Sequence, residues 1–310
     1  MTQSERSDTG VTAGGATKGD KMYLATTPEA KQSGTLVLET FEIAYRTDIG
    51  LIRQGNEDNY FVVGQGADLK TQGVLVGVAD GMGGHNAGEV ASLVAVETLA
   101  SYYDPAFLAL EPEERLADAV KRANIRILDL SNQNLDMQGL GTTLTALCLK
   151  ESKAIVAHVG DCRIYLYRRG QLSQMTMDHS LVQEAVREGI LTPEQARVHP
   201  QRNIITRALG TQDDLEVDTL TLPIQAGDVY LLASDGLHGL IEDFEIEDII
   251  HQEYNNVDRI TEALVQSALA EGGNDNVTVV VVKVPQAEGA LDGEPGSPGG
   301  PGDDGDVTLP

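Results

Sequence analysis

The 310-residue chain has no tryptophan and only four phenylalanines, so valine, leucine, isoleucine and alanine must fill whatever core it builds. Its two cysteines, Cys148 and Cys162, exclude a disulfide framework and, far apart in sequence, a C-x-x-C zinc or redox motif. A reducing compartment follows. No stretch reaches the roughly 18 consecutive apolar residues of a membrane span, and the opening "MTQSERSDTG" lacks the basic-then-apolar order of a secretory signal. A cytoplasmic protein with no membrane partner is expected. Positive charge is scarce as well: 22 Lys and Arg stand against 48 Asp and Glu, a net charge of −26. Without a basic cluster to grip phosphates, nucleic acid is excluded as a partner. Neither a G-x-x-x-x-G-K-[ST] phosphate loop nor an EF-hand calcium loop occurs.

What is present divides the chain in three. Residues 1–40, rich in Ser, Thr, Gly and Lys, read as a flexible leader. Residues 41–285 carry the folded unit. From 286 to 310 runs an acidic Gly/Pro-rich tail, whose glycines at 293, 296, 299, 302 and 305 imitate a collagen period over too few triplets to hold one; disorder is the alternative reading taken here. Between the ends, "YFVVG", "VLVGVA", "TLTALCLK", "AIVAHVG", "RIYLYRR", "LEVDTLTL", "DVYLLAS" and "VTVVVVKV" are short, β-branched and bounded by turn residues, as strands are. Helical periods appear in "AGEVASLVAVETLASYY", "EPEERLADAVKRANIRILDL" and "VDRITEALVQSALAEG". Short links such as "ES" between "TALCLK" and "KAIVAHV" permit only antiparallel pairing. The class is mixed α and β with antiparallel sheets.

The stretch "GVADGMGGHNAGE" places Asp80 at the end of one strand; Asp235 follows the strand "DVYLLAS", and Asp275 precedes "VTVVVVKV". If the last strand runs antiparallel to the other two, the three carboxylates share one sheet edge. Asp161, in "HVGDCR" between two strands, and Glu57 and Asp58, just before "YFVVG", extend the set. Each acid alone has an ordinary alternative as a helix cap or turn residue. Together they repel one another unless cations neutralise them, and an all-oxygen ligand set selects a hard ion, Mg²⁺ or Mn²⁺. Gly81 and Gly236 then let the backbone pass close to an ion.

"RQGNED" (53–58), "ADGMGGH" (79–85), "GTT" (141–143), "GDCR" (160–163), "SDGL" (234–237) and "NDNVT" (274–278), in this order, resemble the bacterial form of the metal-dependent type 2C serine/threonine protein phosphatases over residues 41–285. The resemblance implies an α+β fold, a four-layer αββα sandwich with two central antiparallel sheets flanked by helices. It implies hydrolysis of phosphoserine and phosphothreonine in proteins by direct attack of a metal-bridging hydroxide, in signal transduction opposite a serine/threonine kinase. Two Mn²⁺ or Mg²⁺ ions are implied, with a third bound more weakly. On this resemblance Asp80 bridges the pair, Asp235 and Asp275 complete one ion, and Glu57 with the Gly81 carbonyl serves the other. Asp161, with Asp235, would hold the third. Asp58 and Asn276 would orient bound water, and Arg53 would grip the phosphate, a surface ion pair being its alternative.

The sequence departs from the family pattern twice. Met82 stands where many eukaryotic relatives carry a histidine general acid, and nearby His85 is read either as catalytic or as a helix-start residue. Cys162 replaces a serine and reads as a small buried residue. The segment 178–211 resembles the flap beside the active site; His199, Arg202 and Arg207 would lend it positive charge for a phosphopeptide, or it is simply two solvated helices. A pseudophosphatase that binds phosphoproteins without turnover, and a phosphatase acting on a regulatory phosphoprotein rather than kinase substrates, are the alternatives.

Overall fold

The computed structural model describes residues 23–25, 31–38, 40–63, 69–83, 87–134 and 137–286. Its elements in chain order begin with β1 (Tyr23–Ala25), β2 (Lys31–Val37), β3 (Glu42–Asp48), β4 (Asp58–Val63), α1 (Leu69–Gln72), β5 (Val74–Met82), α2 (Ala87–Leu99) and α3 (Pro112–Gln133). Then follow β6 (Gly141–Thr142), β7 (Leu144–Lys150), β8 (Lys153–Val159), β9 (Arg163–Arg168), β10 (Gln171–Gln174), α4 (Leu181–Arg187) and α5 (Pro193–Arg197). The last are β11 (Asp218–Pro223), β12 (Val229–Ala233), α6 (Asp235–His238), α7 (Asp243–Gln252), α8 (Val257–Ala270) and β13 (Val277–Lys283).

The strands form two antiparallel sheets, ordered β1-β4-β5-β7-β8-β11, with β6 on β5, and β10-β9-β12-β13-β3-β2. The uninterrupted apolar runs have a simple cause: both faces of each sheet are covered. Along β13, Val277, Val279 and Val281 point into a cluster with Ile260 and Leu264 of α8, while Val280 and Val282 point between the sheets onto Val62, Val76 and Leu232. Along β5, Val74, Val76 and Val78 face the inter-sheet core while Leu75 and Ala79 face α2 and α3. On α3 the buried Leu116, Ala119, Val120, Ala123 and Ile127 recur at helical spacing. The result is the four-layer αββα sandwich, α2 and α3 on one side and α7 and α8 on the other. Among the described residues no helix is long and apolar enough to cross a membrane.

The first correction concerns the leader. Within the stretch expected to be flexible, β1 pairs with β4 and β2 pairs with β3 over its full length. Strand pairing there needs only backbone, which the polar composition concealed. The rest of that stretch, apart from Leu38 and Thr40, lies outside the described residues, as do His85 and the tail from 287 onward.

The flap segment 178–211 holds α4, capped by the Ser180 hydroxyl, and α5, where Thr192 and Gln195 form a reciprocal capping box. A bridge between Ser180 and Ile205 closes it on itself, and one between Thr142 and Leu209 fastens it back onto the sandwich.

Candidate active site

The acidic residues converge at one end of the sandwich, but from both sheets. Asp235 follows β12 and Asp275 precedes β13, which pair antiparallel, so those two lie at one sheet edge as expected. Asp80 comes from the other sheet, correcting the single-edge expectation, and β5 continues through Met82. Its in-register partner on β4 is Asp58. The "GTT" motif explains how Asp80 is held: Thr143 Oγ1 accepts from the Asp80 amide (3.1 Å), and its carbonyl accepts from the Thr143 amide (2.9 Å) and the Thr142 hydroxyl (2.7 Å).

Glycine is required here by protein rather than by an ion. A Cβ on Gly81 would sit 2.1 Å from the carbonyl oxygen of Gly88 in the first turn of α2, and one on Gly236 would sit 1.9 Å from that of Asn276.

Asn276 needs a larger correction. Expected to orient bound water, its amide is committed to the chain: Oδ1 accepts from the Glu57 amide (2.8 Å), and Nδ2 donates to the carbonyls of Ile49 (2.9 Å) and Gly55 (3.0 Å). Asn276 therefore fixes the "RQGNED" loop and aims Glu57. Sequence reading also passed over Ser234, whose hydroxyl donates to Asp58 Oδ2 (2.7 Å) while accepting from the Thr278 amide (2.9 Å).

The electrostatics are those of carboxylates packed too closely. Burial pushes Asp58 up to about 7, against the restraint of Ser234. Burial and the repulsion of Asp58, Asp235 and Asp161 hold Asp80 well above its ordinary value; burial and Asp235 do the same to Asp161. Asp235 is raised by burial and Asp275, relieved in part by a hydrogen bond shared with Asp80. Glu57 is raised by burial, with Arg53 opposing. Buried oxygens on three of these residues, Asp58 Oδ1, Asp161 Oδ1 and Asp235 Oδ1, have no hydrogen-bond partner among the described residues.

Among the described residues no three His, Cys, Asp or Glu side chains close into a finished metal cage. The set nevertheless fits hard divalent cations: every side-chain donor is a carboxylate, three oxygens are unsatisfied, and the mutual repulsion is of the kind a cation removes. Arg53 stands at the exposed rim, Nη2 donating to Asp275 Oδ2 (2.6 Å). Cys162 is fully buried beside Thr143 Oγ1 (3.0 Å), its thiol raised by burial and by Asp80 and Asp161, so it is an inert packing residue.

The flap base secures the Gly160–Asp161 turn. Arg163 grips Asp178 with three hydrogen bonds (2.7–3.1 Å), and against the pull of burial holds its carboxyl below the ordinary value. His179 receives the Gly160 amide on Nδ1 (3.0 Å) and sends its own amide to the Gly160 carbonyl (2.7 Å). Arg207, expected to attract a phosphopeptide, is instead bound to Asp218 (2.6 Å) and Glu216 (3.2 Å). Arg202 lines a cavity of about 410 Å³ that opens from Asp161 and Asp235 between the flap and α6–α7, with Phe244 on its wall.

Three comparisons bear on this arrangement. Residues 47–277 match the family model described as protein phosphatase 2C. The chain is 40% identical over 242 residues to the serine/threonine phosphatase stp of Listeria welshimeri, covering 77% of this chain and 94% of that one. Against protein phosphatase PhpP of Streptococcus pneumoniae the identity is 40% over 251 residues, 80% and 99% of the two chains. Among solved structures, the Mycobacterium tuberculosis serine/threonine phosphatase PstP/Ppp superposes with a TM-score of 0.71 at 39% identity, over 80% of this chain and 100% of its own. A PstP catalytic domain in complex with two manganese ions gives 0.69 at 38%, over 80% and 99%.

Proposed function

This chain belongs to the protein phosphatase 2C family and is a metal-dependent serine/threonine protein phosphatase, and from that premise we propose how its residues do the work. The observation that carries the reading is the convergence of Glu57, Asp58, Asp80, Asp161, Asp235 and Asp275 with three buried oxygens unsatisfied. Glu57, Asp80, Asp235 and Asp275, with the Gly81 carbonyl, would hold two Mn²⁺ or Mg²⁺ ions, and Asp161 with Asp235 a third. Bound there, such ions supply a water acidic enough to attack phosphorus at neutral pH and offset the charge of the phosphoryl oxygens.

The chain's own residues do the rest. Among the described residues Arg53 is tied down by one exposed ion pair, a weak contact, so its guanidinium is free to exchange Asp275 for two phosphoryl oxygens. Asp58, buried and anchored through Ser234, presents the unpartnered Oδ1 as an acceptor for the proton of the attacking water. Asn276 keeps Glu57 aimed. Met82 offers no titratable group to protonate the leaving hydroxyl. The flap cavity would hold the peptide flanking the phosphorylated residue.

The substrates are phosphorylated proteins. We infer that a serine/threonine kinase produces them in the cytoplasm, and that residues 41–285 are the catalytic unit. No observation favours a non-catalytic phosphoprotein binder. The test is hydrolysis of p-nitrophenyl phosphate and a phosphothreonine peptide with Mn²⁺, Mg²⁺ or EDTA, for the wild type, Asp80→Ala and Asp235→Ala. Metal-dependent turnover lost in both variants is the expected result; turnover persisting in EDTA would overturn the reading.

A further inference from the structure

In this acidic chain arginines are routinely matched to carboxylates: Arg53, Arg163, Arg168, Arg197 and Arg207 each have one within 2.7 Å. Arg115, in the first turn of α3, differs from these five. It is 3% exposed, and among the described residues no carboxylate reaches it. Its Nη2 donates to the Tyr102 hydroxyl (2.9 Å), its guanidinium lies 4.1 Å from the Tyr102 ring centroid, and its Nε has no partner among the described residues. A hydroxyl and a ring face are poor compensation for a buried full charge.

Arg115 lines a cavity of about 330 Å³ together with Gln72, Glu111, Pro112 and Lys150. The Glu111 carboxylate is at the exposed rim and makes no cap bond to α3. Lys150 ends β7, the strand whose other end adjoins Thr143 and Asp80, so this cavity lies at the pole opposite the carboxylates. Two cations thus converge there. Both act on the same neighbour: burial pushes the Cys148 thiol up to about 11, and Arg115 and Lys150 pull it back.

We propose that this pocket binds a small phosphoryl oxyanion, free phosphate or the phosphate of a small metabolite, between Arg115 and Lys150. A carboxylate has two oxygens, which one guanidinium satisfies alone; a phosphoryl group has a third for the ammonium. The site owes nothing to the catalytic reading and stands or falls without turnover.

Equilibrium dialysis of radiolabelled inorganic phosphate against the full chain in Mg²⁺ tests it. Asp80→Asn, which disables the catalytic centre, keeps one phosphate site; Lys150→Gln weakens that site about tenfold, and Arg115→Gln abolishes it. Displacement of the label by lower concentrations of O-phosphoserine than of unlabelled phosphate would assign the site to phosphorylated metabolites, and the reverse order to free phosphate. If Arg115→Gln does not fold, Lys150→Gln decides. No phosphate bound to Asp80→Asn, or undiminished binding to Lys150→Gln, would overturn the proposal.

Discussion

The carboxylate floor and the flap base share the Gly160–Asp161 turn, yet treat charge in opposite ways. At the flap base charges are matched: Arg163 with Asp178 and Arg207 with Asp218, while His179 bonds the Gly160 amide and Asp218. On the floor, acids face acids and oxygens go unmet. A satisfied network spends its interactions on holding a shape, whereas an unsatisfied one is incomplete until something binds. Arg115 belongs with the floor by the same criterion, with the sign reversed.

The sharpest way to break the comparison is Asp80→Ala. Turnover of p-nitrophenyl phosphate should fall by roughly a thousandfold or more, while the melting temperature in EDTA should rise, because repulsion is relieved. A variant that lost activity and metal-free stability together would put Asp80 with the structural charges. Asp178→Ala reverses the expectation: a guanidinium left buried and alone should lower stability by about 3–5 kcal/mol in urea unfolding, with or without metal. Next in size comes metal itself. Saturating Mn²⁺ at a hundred times its dissociation constant should stabilise the wild type by about 2.7 kcal/mol over EDTA, and Asp80→Ala should show little of this gain.

The smallest effect is a pH response seated in the flap base. Burial, with His179 beside it, drives His158 down to about 4, and burial with Arg163 near drives His238 down to about 3. Both are neutral in the folded state, so the unfolded chain takes up more protons once pH drops below the ordinary histidine value. Stability should therefore fall as pH goes from about 6.5 towards 4, by about 1–2 kcal/mol per histidine between pH 7 and 5. His158→Gln should flatten that slope in urea midpoints taken at the two pH values; an unchanged slope would place the proton uptake elsewhere.

Much of the site was legible in sequence because strand ends are legible. The apolar runs before Asp80 and Asp235 and after Asp275 mark where a sheet stops, and acids at such places are conspicuous. The β-branched run "VTVVVVKV" was likewise legible as a strand; that both its faces are buried is what the structure adds. What could not be read was partnership across the chain. That Asn276 holds Gly55, or that Thr143 holds Asp80, depends on segments 221 and 63 residues apart. Arg207 looked available until β11 brought Asp218 beside it. Nor does sequence say which sheet a strand joins, so Asp80 was expected beside Asp235 rather than opposite it. The paired β2 hid in polar composition because an edge strand needs few apolar residues.

That floor drawn from two sheets has a consequence for how the protein is made. Residues 57, 80, 161, 235 and 275 come from nearly the whole length of the described chain, and neither sheet alone contains the set. The full set therefore meets only when the two sheets pack together, and the repulsion between the Asp58–Asp80 pair and the Asp235–Asp275 pair weighs on that packing rather than on either sheet. Divalent ions held by that cluster would have nothing equivalent to bind in a half-closed chain and would therefore favour the closed sandwich by mass action. A nascent or truncated chain lacking β13 would hold no partial activity.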